Sequence, residues 1–177
     1  MASLFRVLVD LLRGPKRDQA RTKERPRTTP TARDEAGRSG GSRTVEVPPP
    51  GRKELRIQYA PRADGRPDAG EVVWTWVPYE ENDGRGKDRP VLVIGQAGGG
   101  RVYAVKLTSK AHDGHRDYLP IGSGPWDGQG RPSWVDIEQV YSVHPDGMRR
   151  EAAALDLDTF VKVAAALQRR YGWDAGR

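Results

Sequence analysis

From Gly70 onward the apolar residues arrive in short bursts, and bursts of this length can build only short strands. Glu71–Val77 (EVVWTWV), Val91–Gly95 (VLVIG), Arg101–Leu107 (RVYAVKL) and Ser133–Val143 are dense in β-branched and aromatic residues, and Pro78, Gly98-Gly99-Gly100 and Pro145-Asp146-Gly147 punctuate them. Such bursts between turn residues read as strands. Alternation in Arg101–Leu107 sets Val102, Ala104 and Lys106 on one face and Tyr103, Val105 and Leu107 on the other. Val91–Gly95 has no polar residue at all, as expected of a strand buried on both faces. Strands this short and this closely spaced predict a mainly β fold, a small barrel or sandwich in place of a parallel sheet. One helix closes it. Asp158 stands where an N-cap belongs, Phe160, Val163, Ala164, Leu167 and Tyr171 form the apolar stripe, and Gly172 is the stop. This helix is expected to cover an open end or edge of the barrel, with Trp173 folding back onto it.

The chain ahead of this region has a different character. Residues 1–66 hold 16 Lys and Arg against 8 Asp and Glu, whereas residues 67–177 hold 14 against 16, so all the excess positive charge lies in the N-terminal third. From Pro15 to about Arg66 no apolar periodicity is sustained, and Arg, Pro, Ser and Gly dominate, as in a linker. The expected organisation is a disordered basic tail over 1–66 and a folded domain over 67–177. Within the tail, Leu4, Val7, Leu8 and Leu11 recur at helical spacing and predict a short amphipathic helix over 1–14, too short to span a bilayer. Leu55, Ile57 and Tyr59 alternate and predict an added edge strand. A basic tail attracts polyanions, either nucleic acid or an anionic membrane surface; its other reading is a solvated segment that keeps the protein soluble.

Several chemistries drop out on composition. The chain has no cysteine, which removes disulfides, thiolate nucleophiles and Cys-based zinc sites and agrees with a cytoplasmic location. Three histidines and scattered carboxylates give no metal-ligand spacing, so neither a metal nor another cofactor is expected. Gly98-Gly99-Gly100 lacks the Lys-Ser/Thr and the helix of a phosphate loop.

Gly70-Glu71-Val72-Val73-Trp74, Arg89-Pro90-Val91-Leu92-Val93-Ile94, Leu107-Thr108-Ser109-Lys110 and Ile137-Glu138-Gln139-Val140 follow one another along the chain. In this order and spacing the sequence resembles the PemK/MazF family, toxin endoribonucleases of type II toxin-antitoxin systems, over about residues 68–173. The resemblance implies an SH3-like barrel with a C-terminal helix, a homodimer, a cognate antitoxin as partner, and cleavage of single-stranded RNA without a metal. It also implies that Arg89 and Thr108 are the catalytic pair. The loop Glu80–Asp88 departs from the family's usual Gly-small-Glu-Gln pattern.

Those residue types suit the reaction. RNA can be cut by its own 2′-hydroxyl, so the enzyme supplies no nucleophile but must stabilise extra negative charge on phosphorus. A guanidinium fork matches phosphate oxygens and a hydroxyl adds a hydrogen bond. Arg stays protonated across the usual range, which leaves proton transfer unexplained. His112, or His115 close by, is a candidate acid or base because His titrates near neutral pH; an exposed loop histidine is the alternative. Ser109 and Lys110 beside Thr108, Arg85 and Lys87 before Arg89, and Tyr79 and Trp126 beside loops are the candidate substrate contacts, the aromatics by stacking on bases. Trp74 and Trp76, sharing a strand face, are expected in the core. Two other functions fit the same residues: a non-catalytic SH3-like module that binds RNA or protein, and a membrane-surface regulator placed by the N-terminal segment.

Overall fold

The computed structural model describes residues 36–176 apart from Ala63, Gly65 and Asn82. The helix expected over 1–14 and most of the basic tail lie outside the described residues. Among the described residues ten strands and one α-helix follow in order: β1 (Val45–Val47), β2 (Arg56–Ile57), β3 (Glu71–Pro78), β4 (Gly86–Gln96), β5 (Val102–Thr108), β6 (Tyr118–Gly122), β7 (Ser133–Asp136), β8 (Val140–Val143), β9 (Met148–Ala154), α1 (Leu157–Tyr171) and β10 (Asp174–Ala175). The main sheet runs β1-β8-β5-β4-β3-β9, and β7 branches from the far end of β5 with β6 beside it. Its pairs are all antiparallel, while β10 pairs in parallel with β2.

Both faces of this sheet are buried. Val72, Leu92, Ile94, Val105 and Leu107 point into a core that takes Phe160, Val163 and Leu167 from α1 and also Trp173. Val73, Val77, Val91, Val93, Ala104, Tyr141 and Val143 form a second core on the opposite face. The uninterrupted run Val91–Ile94 is thereby explained, since its residues alternate between two dry faces and none is exposed.

The sheet curls until its ends meet. The Thr44 hydroxyl lies 2.7 Å from that of Thr75 on β3, and the Thr75 hydroxyl donates to the Gly147 carbonyl at 2.9 Å. With its one proton so used, Thr75 accepts from Thr44. Gly37 fits here only as glycine: its φ is +80°, and a Cβ would stand 2.7 Å from the Gly147 carbonyl oxygen. Arg101 fastens the same segment, donating to the Gly41 carbonyl at 2.9 Å and to Ser142 Oγ at 2.7 Å.

These contacts correct the expected tail. Residues 36–62 are packed onto the domain, with Thr44, Leu55 and Ile57 buried. The Trp173 indole donates to the Pro50 carbonyl at 2.9 Å and the Tyr59 hydroxyl to that of Leu155 at 2.7 Å. Their low apolar content hid this, because a few anchors and backbone hydrogen bonds hold the segment in place of an amphipathic stripe.

Three smaller differences have local causes. Ser133–Val143 is two strands, because the Asp136 carboxylate accepts the Glu138 N–H at 2.9 Å and turns the chain between β7 and β8. The N-cap of α1 is Asp156 in place of Asp158, its carboxylate accepting the Thr159 N–H at 2.9 Å and lying below its ordinary pKa on that account. Trp74 and Trp76 are half-buried, with the Arg38 guanidinium over the Trp76 ring at 4.8 Å. Gly172 ends the helix in the left-handed region at φ 77°, as expected.

If residues 52–57 belong to the folded body, Leu55→Ala and Ile57→Ala should each cost about 2–5 kcal/mol by opening a cavity in the main core. Urea unfolding followed by tryptophan fluorescence measures this; shifts near zero would return the segment to the tail.

Candidate active site

β4 is the strand that positions the site. Its ladder with β3 sets Val73 across from Val91, Thr75 across from Arg89 and Val77 across from Lys87, while its ladder with β5 sets Val91 across from Lys106. Residues directly across an antiparallel pair share a face, and so do residues two apart on one strand. Thr75, Arg89, Lys106 and Thr108 therefore lie on the face that carries the second apolar core. At the end of β5, Thr108 pairs with Trp134 of β7, and Tyr118 pairs with Asp136. The apolar part of the face thus gives way to a polar rim of Arg89, Lys106, Thr108, Asp136 and Tyr118.

A cleft of about 370 Å³ opens at this rim, lined by Val77, Tyr79, Glu80, Arg85, Arg89 and Lys106 among others. Tyr79 closes the turn into β4 by donating its N–H to the Arg85 carbonyl at 3.0 Å. The cations of the cleft differ in what holds them. Arg85 is tied to Asp83 at 2.6 Å, and its backbone N–H and guanidinium together hold the Asp83 carboxyl below the usual carboxylate range. Lys106 lies 3.2 Å from the buried Asp136 and 3.7 Å from the exposed Glu80, and it donates to Gln139. Arg89 is half-buried, and no described residue forms a hydrogen bond or ion pair with its guanidinium. Its charge reaches Tyr141, whose hydroxyl burial pushes up; Arg89 acts against that shift. The Arg89 fork, with five N–H donors, is presented to the cleft.

The cleft therefore gathers Arg89, Arg85 and Tyr79. Thr108 shares the sheet face of Arg89 without lining the cleft, and its hydroxyl accepts the Lys110 N–H at 3.2 Å. Ser109 and Lys110 are exposed in the turn after β5, and Lys87 is exposed on β4. His112 is stacked on Tyr118, the rings 3.7 Å apart and 6° from parallel, and does not line the cleft. Trp126 is a correction: it was expected to meet substrate, but its ring is buried in the main core and its indole donates to Ser133 Oγ at 3.1 Å. The ring lies over Gly124, where a Cβ would stand 2.3 Å from it. Lys106 is the cleft cation that sequence reasoning passed over; the only signal was a charge set inside the otherwise apolar run VYAVKL. Among the described residues no group of three or more His, Asp and Glu gathers to hold a metal ion.

A curled antiparallel sheet with one C-terminal helix and a charged cleft at its rim defines the class, a small mainly β domain. Residues 68–170 match the model of the PemK-like, MazF-like toxin of type II toxin-antitoxin system, and the chain belongs to that family. Among solved structures, a chain of the MazE-MazF crystal structure from Deinococcus radiodurans is 24% identical, with 61% of this chain and 98% of that one covered at a TM-score of 0.43. MazF from the same organism is 24% identical, covering 60% and 97% at a TM-score of 0.45. An endoribonuclease in complex with its cognate antitoxin from a mycobacterial species is 19% identical, covering 60% and 95% at a TM-score of 0.45. No curated protein matches the chain.

Tyr118 supplies a test of the rim. Burial, and then the facing Asp136, push its hydroxyl up to about 12 from an ordinary 10.0. The unfolded chain would ionise first, so the contribution of Tyr118 to stability is whole below pH 10 and is lost as pH rises toward 12. Ultraviolet titration of wild type and Tyr118→Phe should give matching phenolate absorbance up to about pH 11 and diverge only above it. A difference already present at pH 10 would mean an open, solvated Tyr118.

Proposed function

We propose that this protein is the toxin of a type II toxin-antitoxin pair and cuts single-stranded RNA at the cleft beside Arg89. The observation that carries the reading is the Arg89 guanidinium, facing a cleft with no internal partner among the described residues, in a chain of an endoribonuclease toxin family. In the reaction the 2′-oxygen forms a bond to phosphorus and the bond to the 5′-oxygen breaks. The products are a 2′,3′-cyclic phosphate and a 5′-hydroxyl. The 2′-hydroxyl gives up one proton and the leaving 5′-oxygen takes one, so no net proton is consumed. Arg89 neutralises the charge that builds on the phosphorane oxygens, and Thr108, on the same sheet face, adds a hydrogen bond from the neighbouring strand. A cation without an internal carboxylate is suited to this work, since nothing has to be displaced before phosphate arrives.

The same reading assigns the protein a cognate antitoxin and a homodimeric state. One solved relative was crystallised as MazE-MazF and another in complex with its cognate antitoxin. An antitoxin that competes for Arg89 would present carboxylates to it.

Purified protein should cut a long mixed-sequence single-stranded RNA in EDTA. Arg89→Ala and Thr108→Ala should each slow cutting by about 100-fold or more, with circular dichroism unchanged. If wild type leaves the RNA whole but still binds it, the cleft belongs to a binding module. Light scattering on the full chain should give the mass of two chains.

A further inference from the structure

We infer that Lys106 is a second phosphate ligand of the cleft, acting beside Arg89, and that Glu80 occupies the place an RNA phosphate takes; this rests on the RNA-cleaving reading above. The ammonium of a lysine has three donors. Two of those on Lys106 are directed by acceptors that the fold holds in place. One is Asp136, whose side chain is only 2% exposed and lies 3.2 Å away. The other is Gln139, whose amide oxygen also accepts the hydroxyl of the buried Tyr141 at 3.0 Å, while its nitrogen is turned out toward Glu46 on β1. The third donor meets Glu80, whose side chain is 75% exposed and stands 3.7 Å off, beyond hydrogen-bond distance. Two contacts are built in, and the third is a loose placeholder with the charge of a phosphate oxygen.

The register sets Lys106 diagonally across the β4–β5 ladder from Arg89. Diagonal neighbours stand roughly 7–8 Å apart at the backbone, within reach of long side chains. Lys106 is anchored from β7 and from the turn before β8, so its ammonium is oriented before RNA binds. A purely structural role, as the counter-ion of a buried Asp136, would account for that pair but not for an ammonium that also lines the cleft, 3.7 Å from an exposed carboxylate.

The probe is a single-stranded RNA with a 2′-O-methyl group on every nucleotide, which keeps its phosphates but lacks the attacking hydroxyl. Its binding to the full chain is measured against salt concentration. Lys106→Met should flatten the slope of log K against log[salt] by about 0.7, the value of one phosphate contact on a single strand, and Lys106→Arg should restore it. Glu80→Gln should bind roughly 2–5-fold tighter at low salt, the size of one exposed ion pair lifted from competition. A Lys106→Met protein that folds and keeps the wild-type slope overturns the inference. If that variant does not fold because Asp136 is left unpaired, Glu80→Gln decides in its place, and affinity equal to or below wild type overturns the inference. Wild type that cuts RNA while either result holds keeps its proposed function and loses only Lys106; wild type that neither binds nor cuts loses both.

Discussion

β4 carries a different burden on each of its faces, and the rest of the molecule is arranged around that. Val91 and Val93 pack to one side, Leu92 and Ile94 to the other, and β3 and β5 occupy both edges. A one-residue slip would exchange the two faces along its length. It would also carry Arg89 off the cleft face and set Pro90 there, so the register that fills two cores is the register that aims the guanidinium. Such a strand has no cheap alternative pairing, because every slipped register strands a charge or opens a cavity.

The polar rim follows from where the apolar core ends. Face sharing takes Arg89, Lys106, Thr108, Asp136 and Tyr118 in sequence from four strands, and their partners sort them by task. Asp136 is nearly inaccessible and would be costly to leave charged without Lys106 beside it. Arg85 is bound to Asp83 in the solvent, where such pairs contribute little and give way easily. Arg89 has no such tie among the described residues. The cleft thus grades from a fixed cation, through one held by an exchangeable neighbour, to one that is open.

What the chain discloses in advance depends on how local the cause is. β3, β4 and β5 were legible because their burial pattern is written in consecutive residues, and the brief alternation of Leu55 and Ile57 did announce β2. β6 and β9 were not, for good local reasons: Tyr118–Gly122 contains a proline, and Met148–Ala154 (MRREAAA) has the composition of a helix. Only pairing with β7 and β3 makes strands of them. At the site, Arg89 and Thr108 were named from a family pattern, whereas Lys106 depends on Asp136 and Gln139, which approach it only after β5, β7 and β8 have assembled. Trp126 was misjudged in the other direction. A tryptophan between glycines reads as a surface aromatic until Ser133 is there to take its N–H.

The segment ahead of the family domain bears on the site through one contact. Thr75 stands directly across from Arg89 in the β3–β4 ladder and is fully buried. Its hydroxyl is satisfied by Gly147 before β9 and by Thr44 before β1, and Thr44 lies outside the residues that match the family, 68–170. A buried hydroxyl that lost both partners would carry a penalty of about 1–3 kcal/mol, enough to disfavour the curled sheet at that point. The strand pair that presents Arg89 is therefore steadied, on the face Arg89 shares with Thr75, by a segment that sequence composition assigns to a tail. Gly37 and the Arg101 contacts serve the same end, holding residues 37–44 where Thr44 can reach. In this protein the working boundary of the domain is set by what touches Thr75, and that moves it from the expected residue 67 back to residue 37 at least.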